Sequence, residues 1–337
     1  MKTILIITRN ALVNVRQMAD ARGITPDGQF RFVINDPACN PDFVVVNSKA
    51  LRHATTFPVP KSHTILITDE PHSVLAYPKG YYSQFGTVFT TQPEVRPCPG
   101  THVIHTHTLL PSYVGATFEP DRTNRFRMTY DDIRADRPHK EKLISVIASY
   151  KSFSKGHADR IRFVRRLRER YGDKVDIFGE QRNSYDFKDK YDVTAPYKYQ
   201  IVIENSCGPD YWTEKIADCF LCDTYPIYHG CTNIGRYFPQ GALTTVNINR
   251  FDDTCRTIER LLREQTWENH QRELMESKQL VLGRYNIFNV LAHACAALPD
   301  ACGQTTLRPA SDFFSLHNLY LYTVGRNFYK LKTQLHL

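Results

Sequence analysis

The chain has 337 residues, of which 42% are hydrophobic and 23% are charged. This length suits two domains of ordinary size, and the composition excludes an intrinsically disordered, collagen-like or coiled-coil protein. No run of about 18 apolar residues occurs, so the sequence predicts no membrane-spanning helix. The net charge of +8 favours an anionic partner, such as a nucleic acid, a phosphorylated small molecule or an anionic membrane surface.

The first half of the chain alternates short, apolar, β-branched runs with connections rich in turn-forming residues, a pattern typical of strands. We interpret the first run as a buried strand and not as a signal peptide, because it is short and lacks a small-residue cleavage site. A cytoplasmic location is therefore expected. The predicted strands are Thr3–Ile7, Phe43–Val46, Thr64–Ile67, Val88–Thr90 and Val103–His105.

The second half repeats this alternation, with two clear helical patterns between the strands. In the first pattern, Ile161, Val164 and Leu167 have helical spacing among many arginines, which predicts an amphipathic helix with a solvated basic face. The predicted strands are Leu143–Ala148, Val175–Phe178, Gln200–Ile203 and Tyr225–Tyr228, and the predicted helices cover Arg160–Arg170 and Thr213–Leu221.

Strand signals separated by helix-length connections indicate parallel sheets that are covered on both faces. We therefore expect an α/β protein with two Rossmann-type, doubly wound domains facing a central cleft. The domains are expected at residues 1–137 and 138–300, with the linker in the polar stretch 119–140. The aromatic-rich residues 301–337 are predicted to form a helical tail that packs back on the body.

Neither the cysteines nor the histidines predict a metal site. The nine cysteines have no regular spacing, which argues against a disulfide framework, and we expect the Cys219–Cys222 pair to pack in the core. His102, His105 and His107 have no carboxylate or cysteine beside them, so a zinc site is not expected there. The sequence also lacks an Asp-x-Asp triplet, so we expect no essential metal or other cofactor.

The most informative stretch joins a predicted strand to a predicted helix through polar residues. Glu204 and Asn205 follow the strand at its carboxyl end, where ligands of α/β proteins bind. The first turn of the next helix carries Thr213, Glu214 and Lys215. Free N–H groups and the helix dipole favour phosphate there, and a carboxylate can accept hydrogen bonds from sugar hydroxyls. The pattern fits either a site for a sugar joined to phosphate or a capped helix with a surface ion pair.

The same stretch resembles the signature of glycosyltransferase family 10, the α-1,3/4-fucosyltransferases. Residues 197–206 are similar to the family's Y-K-F-x-x-x-F-E-N-S motif and residues 210–215 to its D-Y-x-T-E-K motif. Further matching elements lie at residues 175–179, 226–230, 237–239 and 246–251. The resemblance covers about residues 143–275 and is closest to bacterial or viral members without a membrane anchor.

The resemblance implies a GT-B fold and an inverting transfer of L-fucose from GDP-fucose to a glycan hydroxyl, with the donor bound by the second domain. Arg160 would hold the donor diphosphate, because its planar fork suits phosphate oxygens. Glu214 and Lys215 would contact fucose, ribose or phosphate, with Tyr211 and Asn205 lining the pocket.

Two neighbouring residues and two departures from the family pattern bear on this donor pocket. Thr213 is a further candidate for contact with the donor. Glu204 either contacts the donor as well or braces the loop. His229 stands where members have an apolar residue, and residues 223–225 stand where many have Gly or Ala. Both departures could alter the pocket wall.

An inverting displacement needs a general base near the acceptor hydroxyl, and the resemblance places it in the first domain. The strand Thr64–Thr68 is followed by Asp69-Glu70-Pro71, which partly matches an E-S-P-like element of the family. We expect Glu70 to be the base, with Asp69 as its substitute. A polar turn that opens with proline is the alternative.

The expected partners are a GDP-sugar donor and an oligosaccharide or lipopolysaccharide-type acceptor, and the basic charge allows peripheral contact with an anionic membrane. Alternatives are a GT-B transferase for another nucleotide sugar and a non-catalytic module that binds glycans or nucleic acid. No RNP, KH, zinc-finger or helix-turn-helix signature occurs, so nucleic acid is not an expected partner.

Overall fold

The computed structural model describes residues 1–118, 124–149, 154–179 and 186–314. Within these ranges the chain forms two compact units. Unit 1 comprises residues 1–111 and 284–314, and unit 2 comprises residues 112–283. None of the helices in the described part of the chain has the length and apolarity that a bilayer span requires.

Strands and helices are numbered in chain order. The strands are β1 (Lys2–Ile7), β2 (Phe30–Ile34), β3 (Phe43–Asn47), β4 (Thr55–Phe57), β5 (Thr64–Ile67), β6 (Thr87–Thr90), β7 (His102–His105), β8 (Ala116–Phe118), β9 (Asn124–Phe126), β10 (Lys142–Ile147), β11 (Asp176–Phe178), β12 (Tyr197–Ile203), β13 (Tyr225–His229), β14 (Thr244–Thr245) and β15 (Thr305–Leu307). The α-helices are α1 (Lys79–Tyr82), α2 (Tyr130–Ala135), α3 (Lys155–Tyr171), α4 (Lys190–Thr194), α5 (Glu214–Leu221), α6 (Phe251–Arg263), α7 (Thr266–Asn269), α8 (Gln271–Leu282) and α9 (Ile287–Ala296).

Unit 1 contains a parallel sheet with the strand order β2-β1-β3-β5-β6-β7. On one face, Ile4 and Ile6 pack with Phe288 and Leu291 of α9. On the other face, the intervening residue Leu5 belongs to a cluster with aromatic side chains of the segment around α1. The alternation of side chains along β1 thus buries both faces of the sheet.

Unit 2 contains a second parallel sheet with the strand order β11-β10-β12-β13-β14. Helix α5 packs against β12 and β13, and its Ile216 and Phe220 are fully buried. Helix α4 lies beside the same strand β12. The carboxyl end of β12 therefore meets the amino end of α5, which is the arrangement that the sequence predicted.

The α/β fold class is confirmed, and every strand predicted above occurs within three residues of its expected bounds. The sequence missed β2, the two-residue strand β14 and the short antiparallel pairs β4–β15 and β8–β9. Between the strands of the first sheet, the sequence predicted connections of helix length that are either helical or irregular. In residues 1–111, all of which are described, the only α-helix is the four-residue α1, and α9 from the end of the chain covers one sheet face instead.

The contact-based units have bounds that differ from the expected 137 and 300. Residues 112–137 join unit 2 because Gly115 donates to Asp189 and because α2 packs on α8. Residues 284–300 join unit 1 because α9 covers its sheet. In the tail, the described residues 301–314 contain β15 and a 3-10 turn and no α-helix, and the rest of the tail lies outside the described residues, as do residues 119–123 of the expected linker.

The basic helix α3 buries a different stripe from the expected one. Val164 and Leu167 are buried as predicted, but Ile161 is half-buried, and Phe163 and Arg160 take its place inside. The remaining arginines face outward, so the solvated basic face is largely confirmed.

Candidate functional site

An open cavity of about 620 Å³ lies in unit 2, at the carboxyl ends of β10 and β12. Residues of β10, β12 and the three helices α3, α4 and α5 form its wall. The polar and charged side chains that line it are Tyr113, Ser149, Arg160, Lys190, Thr194, Gln200, Glu214, Lys215 and Asp218. Its position is the one at which open α/β sheets bind their ligands.

Glu204, immediately after β12, anchors the first turn of α5. Its fully buried carboxylate accepts hydrogen bonds from the Thr213 backbone N–H at 2.9 Å and from the Thr213 hydroxyl at 2.8 Å. The Lys215 ammonium lies 3.3 Å from the same carboxylate. Thr213 is the N-cap residue of α5, so Glu204 fixes the helix end that carries the other charged groups.

Gly230 shows how tightly this carboxylate is packed. A Cβ atom at Gly230 would lie 2.4 Å from Glu204 Cγ and 2.6 Å from the Tyr228 hydroxyl. Neither neighbour can withdraw, because both are buried. The glycine at the end of the apolar Pro226–Gly230 element is therefore required by the Glu204 side chain.

A second ionic group joins α4 to α5. Lys190 Nζ lies 3.0 Å from Asp218 Oδ2 and 3.4 Å from Glu214 Oε1, and its ammonium is 4.5 Å from the Tyr113 ring centroid. Asp218 also accepts a hydrogen bond of 2.8 Å from the Tyr113 backbone N–H. Lys215 reaches Glu214 Oε1 at 3.3 Å, so Glu214 lies between two lysines.

Arg160 joins the amino-terminal part of α3 to the end of β12. Its two terminal nitrogens donate to Asn205 Oδ1 at 2.8 Å and to the backbone oxygen and hydroxyl of Ser149 at 3.1 and 3.2 Å. The side chain is only 3% exposed. A Cβ atom at Gly156 would lie 2.2 Å from the Asn205 backbone oxygen, which explains how α3 approaches the strand end so closely.

The carboxylates of this cluster differ strongly in acidity. Burial alone would raise the pKa of Glu214, but Lys215 and Lys190 outweigh it and hold the pKa at about 2. Burial raises the pKa of Asp218 to about 6, although Lys190 lowers it in part. Burial likewise raises the pKa of Glu204, against the influence of Lys215. Glu214 is thus a permanently ionised acceptor at the cavity wall.

The predicted site residues of the second half are brought together, although not all of them line the cavity. Arg160, Glu214 and Lys215 do, whereas Glu204 and Thr213 brace the helix end behind them. Asn205 holds Arg160, and Tyr211 is 4% exposed in the loop between β12 and α5.

Glu70 and Asp69 lie in unit 1, just beyond the carboxyl end of β5, as the sequence predicted. The Asp69 carboxylate accepts a hydrogen bond of 3.3 Å from the Tyr77 hydroxyl, and burial raises its pKa. The Gln92 side-chain amide donates to the backbone oxygens of Glu70 at 2.7 Å and Leu75 at 2.8 Å, which fixes this loop.

The cysteines are free thiols, and His107 and His229 contact backbone oxygen atoms. All nine cysteines lie within the described ranges and are free thiols, and Cys219 and Cys222 are fully buried, which confirms the core interpretation. His107 lies 3.1 Å from the Tyr285 backbone oxygen. His229 Nδ1 lies 3.0 Å from the Val246 backbone oxygen, and its Nε2 lies 3.2 Å from Cys207 Sγ. Among the described residues, no group of three or more potential metal ligands occurs.

Comparison with known proteins gives a direct match to this part of the chain. Residues 137–276 match the family model described as glycosyltransferase family 10 (fucosyltransferase), C-terminal. This part of the chain is therefore similar to the C-terminal domain of family 10 glycosyltransferases. This confirms the resemblance that was inferred from the motifs. The matched segment, referred to below as the family 10 domain, runs from just before β10 into α8 and includes the cavity-lining residues of β10, β12, α3, α4 and α5.

A curated relative is the α-(1,3)-fucosyltransferase FucT of Helicobacter pylori, which is 33% identical over 86 residues. The match covers 25% of this chain, and the chain spans only 18% of that relative's length.

Solved structures resemble the chain over most of its length. A crystal structure of an α1,3-fucosyltransferase with GDP-fucose is 16% identical, covers 89% of this chain and 91% of its own, and has a TM-score of 0.50. A crystal structure of α1,3-fucosyltransferase with GDP is 15% identical, with coverages of 89% and 91% and a TM-score of 0.49. The first likeness identifies the fold as GT-B.

Sequence reasoning missed three residues that line the cavity, Lys190, Asp218 and Tyr113. Asp218 lies one turn after Glu214 on α5, so the i, i+4 spacing could have placed both carboxylates on one helix face. Lys190 and Tyr113 come from distant segments with no motif of their own.

Proposed function

We propose that this chain transfers L-fucose from GDP-fucose to a hydroxyl of a glycan acceptor, with inversion at the anomeric carbon. One observation carries the proposal: the family 10 domain brings Arg160, Lys215 and the ionised Glu214 to one cavity at the carboxyl ends of its strands. Cations suit a diphosphate, and a carboxylate suits sugar hydroxyls. The acceptor we propose is an oligosaccharide or lipopolysaccharide-type glycan, reached on the cytoplasmic side.

In this reaction the acceptor oxygen attacks the anomeric carbon of fucose while the bond from that carbon to the phosphate oxygen breaks. The bonding electrons leave with GDP, and the transition state resembles an oxocarbenium ion. Arg160 and Lys215 would stabilise the charge that develops on the departing diphosphate, which is why we propose that no metal ion is essential. Asn205 would support this role by holding the Arg160 guanidinium, and Tyr211 would support it from the buried part of the loop between β12 and α5.

The hydroxyl proton needs an acceptor, and we propose that the Glu70 carboxylate takes it. Its place after a buried strand of a parallel sheet supports this role, because functional side chains concentrate at the carboxyl ends of such strands. Asp69 is less suited, because its carboxylate already accepts a hydrogen bond from the Tyr77 hydroxyl.

Isothermal titration calorimetry tests the donor assignment. The full chain is titrated with GDP-fucose, GDP-mannose, UDP-glucose and UDP-galactose, and GDP-fucose should bind most tightly. Lys215→Ala should weaken GDP binding by about 1.5–3 kcal/mol, and Arg160→Lys should also weaken it, because a point charge cannot replace the guanidinium fork. Lys188→Ala, an exposed lysine of the same unit, is the control.

Two results would contradict the proposal. A clear preference for a UDP-sugar would favour the alternative, a GT-B transferase of another nucleotide sugar. Unchanged GDP affinity in both variants would mean that the diphosphate does not bind beside Arg160 and Lys215.

A further inference from the structure

Lys190 has no counterpart in the motif-based assignment, yet it occupies the centre of the charged cluster. It comes from the first residue of α4, and its side chain is only 11% exposed. It contacts carboxylates on two successive turns of α5, Asp218 at 3.0 Å and Glu214 at 3.4 Å. A buried lysine shared by two carboxylates is costly to desolvate, so an ion pair of this kind does not by itself indicate stability.

The two carboxylates are not equivalent partners. Asp218 is held on its other side by the Tyr113 backbone N–H, at 2.8 Å, so it is fixed independently of Lys190. Glu214 lines the cavity and is held by lysines on both sides. Lys190 therefore links Asp218, which is held in place by a backbone hydrogen bond, to Glu214, which lines the cavity.

We propose that Lys190 is a positioning residue of the donor site: its ammonium, anchored on Asp218, holds the Glu214 carboxylate in place for a hydroxyl of the donor sugar nucleotide. This inference rests on the proposed function, because it assumes that the cavity binds GDP-fucose. Lys190 acts through Glu214 and is not required to touch the ligand.

Lys190 contributes a positive charge that keeps Glu214 ionised. The charged groups that interact with Glu214 are Lys190 from α4, Lys215 and Asp218 from its own helix, and Glu204 from the end of β12. Arg160 from α3 lines the same cavity and acts on Lys215. Without Lys190, Lys215 would be the main cation left to oppose the effect of burial, so the pKa of Glu214 would rise. Glu214 would then bind a proton as the pH falls and would lose its capacity to accept from a hydroxyl.

A double-mutant cycle on the full chain tests this connection. Lys190→Met, Glu214→Gln and the double variant are titrated with GDP-fucose and with GDP, and Lys188→Met, an exposed lysine two residues away, is the control. Lys190→Met should weaken GDP-fucose binding about tenfold or more. In the Glu214→Gln background the same change should alter affinity less than about twofold, because Lys190 then has no carboxylate to position.

The pH profile separates positioning by charge from a packing role. In the wild type, Glu214 stays ionised, and Asp218, whose pKa is about 6, is still mostly ionised at pH 6.5, so the affinity for GDP-fucose should change little between pH 8 and pH 6.5. In Lys190→Met, affinity should fall further as the pH is lowered through this range, and the fall should vanish in the double variant. Should the Met variant not fold, Lys190→Gln, which keeps a polar donor beside both carboxylates, enters the same cycle.

The outcomes distinguish the inference from the proposed function. If the wild type binds GDP-fucose but Lys190→Met binds it equally well, or if the two single effects simply add, Lys190 does not act through Glu214 and the inference is overturned. If the wild type does not bind GDP-fucose or GDP, the proposed function itself fails. Non-additive losses with the altered pH profile support the inference.

Discussion

Replacing Glu204 by leucine should clearly destabilise unit 2. The side chain is fully buried, and leucine matches its size without its oxygens. The substitution removes the acceptor for the Thr213 N–H and hydroxyl and leaves the Lys215 ammonium 3.3 Å from an apolar group. The first turn of α5 would lose its tie to β12.

The size of the effect follows from these contacts. Breaking a buried pair by removing one partner costs about 3–5 kcal/mol. Lys215 keeps its contact with Glu214, and its side chain is 23% exposed, so we expect the lower end, about 3 kcal/mol. Glu204→Gln retains an oxygen for the Thr213 N–H and loses only the charge, so it should cost about 1–2 kcal/mol.

Urea unfolding followed by tryptophan fluorescence suits this measurement. Both tryptophans of the chain, Trp212 and Trp267, lie in unit 2, so the signal reports on that unit. The control is Glu264→Gln, which breaks an exposed i, i+4 pair with Arg260 and should cost less than about 0.5 kcal/mol.

The expected order of destabilisation is Glu204→Leu, then Glu204→Gln, then the control. If Glu204→Leu unfolds within about 1 kcal/mol of the wild type, the buried carboxylate does not hold the end of α5. If the Gln and Leu variants are equally unstable, the charge on Glu204, and not the hydrogen bonds to Thr213, determines the stability.

Three further outcomes are expected. Glu70→Gln should slow fucosyl transfer about 10²–10⁴-fold, and its affinity for GDP-fucose should change less than about twofold. Normal transfer in both Glu70→Gln and Asp69→Asn would exclude both carboxylates as the base. Activity should survive dialysis against EDTA, and complete loss restored by Mn²⁺ would reveal a metal requirement. Burial lowers the pKa of Lys140 to about 8, below its usual 10.5, so the unfolded chain binds more protons than the folded chain between these pH values. The free energy of unfolding of the wild type should therefore rise relative to that of Lys140→Met as the pH rises from 8 to 10. Urea midpoints of the two proteins that shift in parallel would contradict this.

The strands and the donor motif could be predicted from the sequence because their signals are local. A buried parallel strand needs a short, apolar, β-branched run, and β5 and β12 each show one. The polar residues at the strand end and in the first turn of α5 lie within about ten positions of one another. Their proximity in space follows directly from the strand–loop–helix order.

The tertiary structure alone decided which distant groups complete these elements. Lys190 and Asp218 are separated by 28 positions, and nothing in either segment indicates that they meet. The family resemblance assigned Arg160 to the donor diphosphate, but the sequence did not show that Arg160 is buried. It is held by hydrogen bonds to Asn205 and Ser149, which lie beyond the ends of two different strands. Helix α9 covers the first sheet from more than 180 positions away. These contacts join segments that are far apart in the sequence, and they form only when the folded chain brings complementary apolar faces and charges together. No local sequence pattern predicts which distant segments will meet.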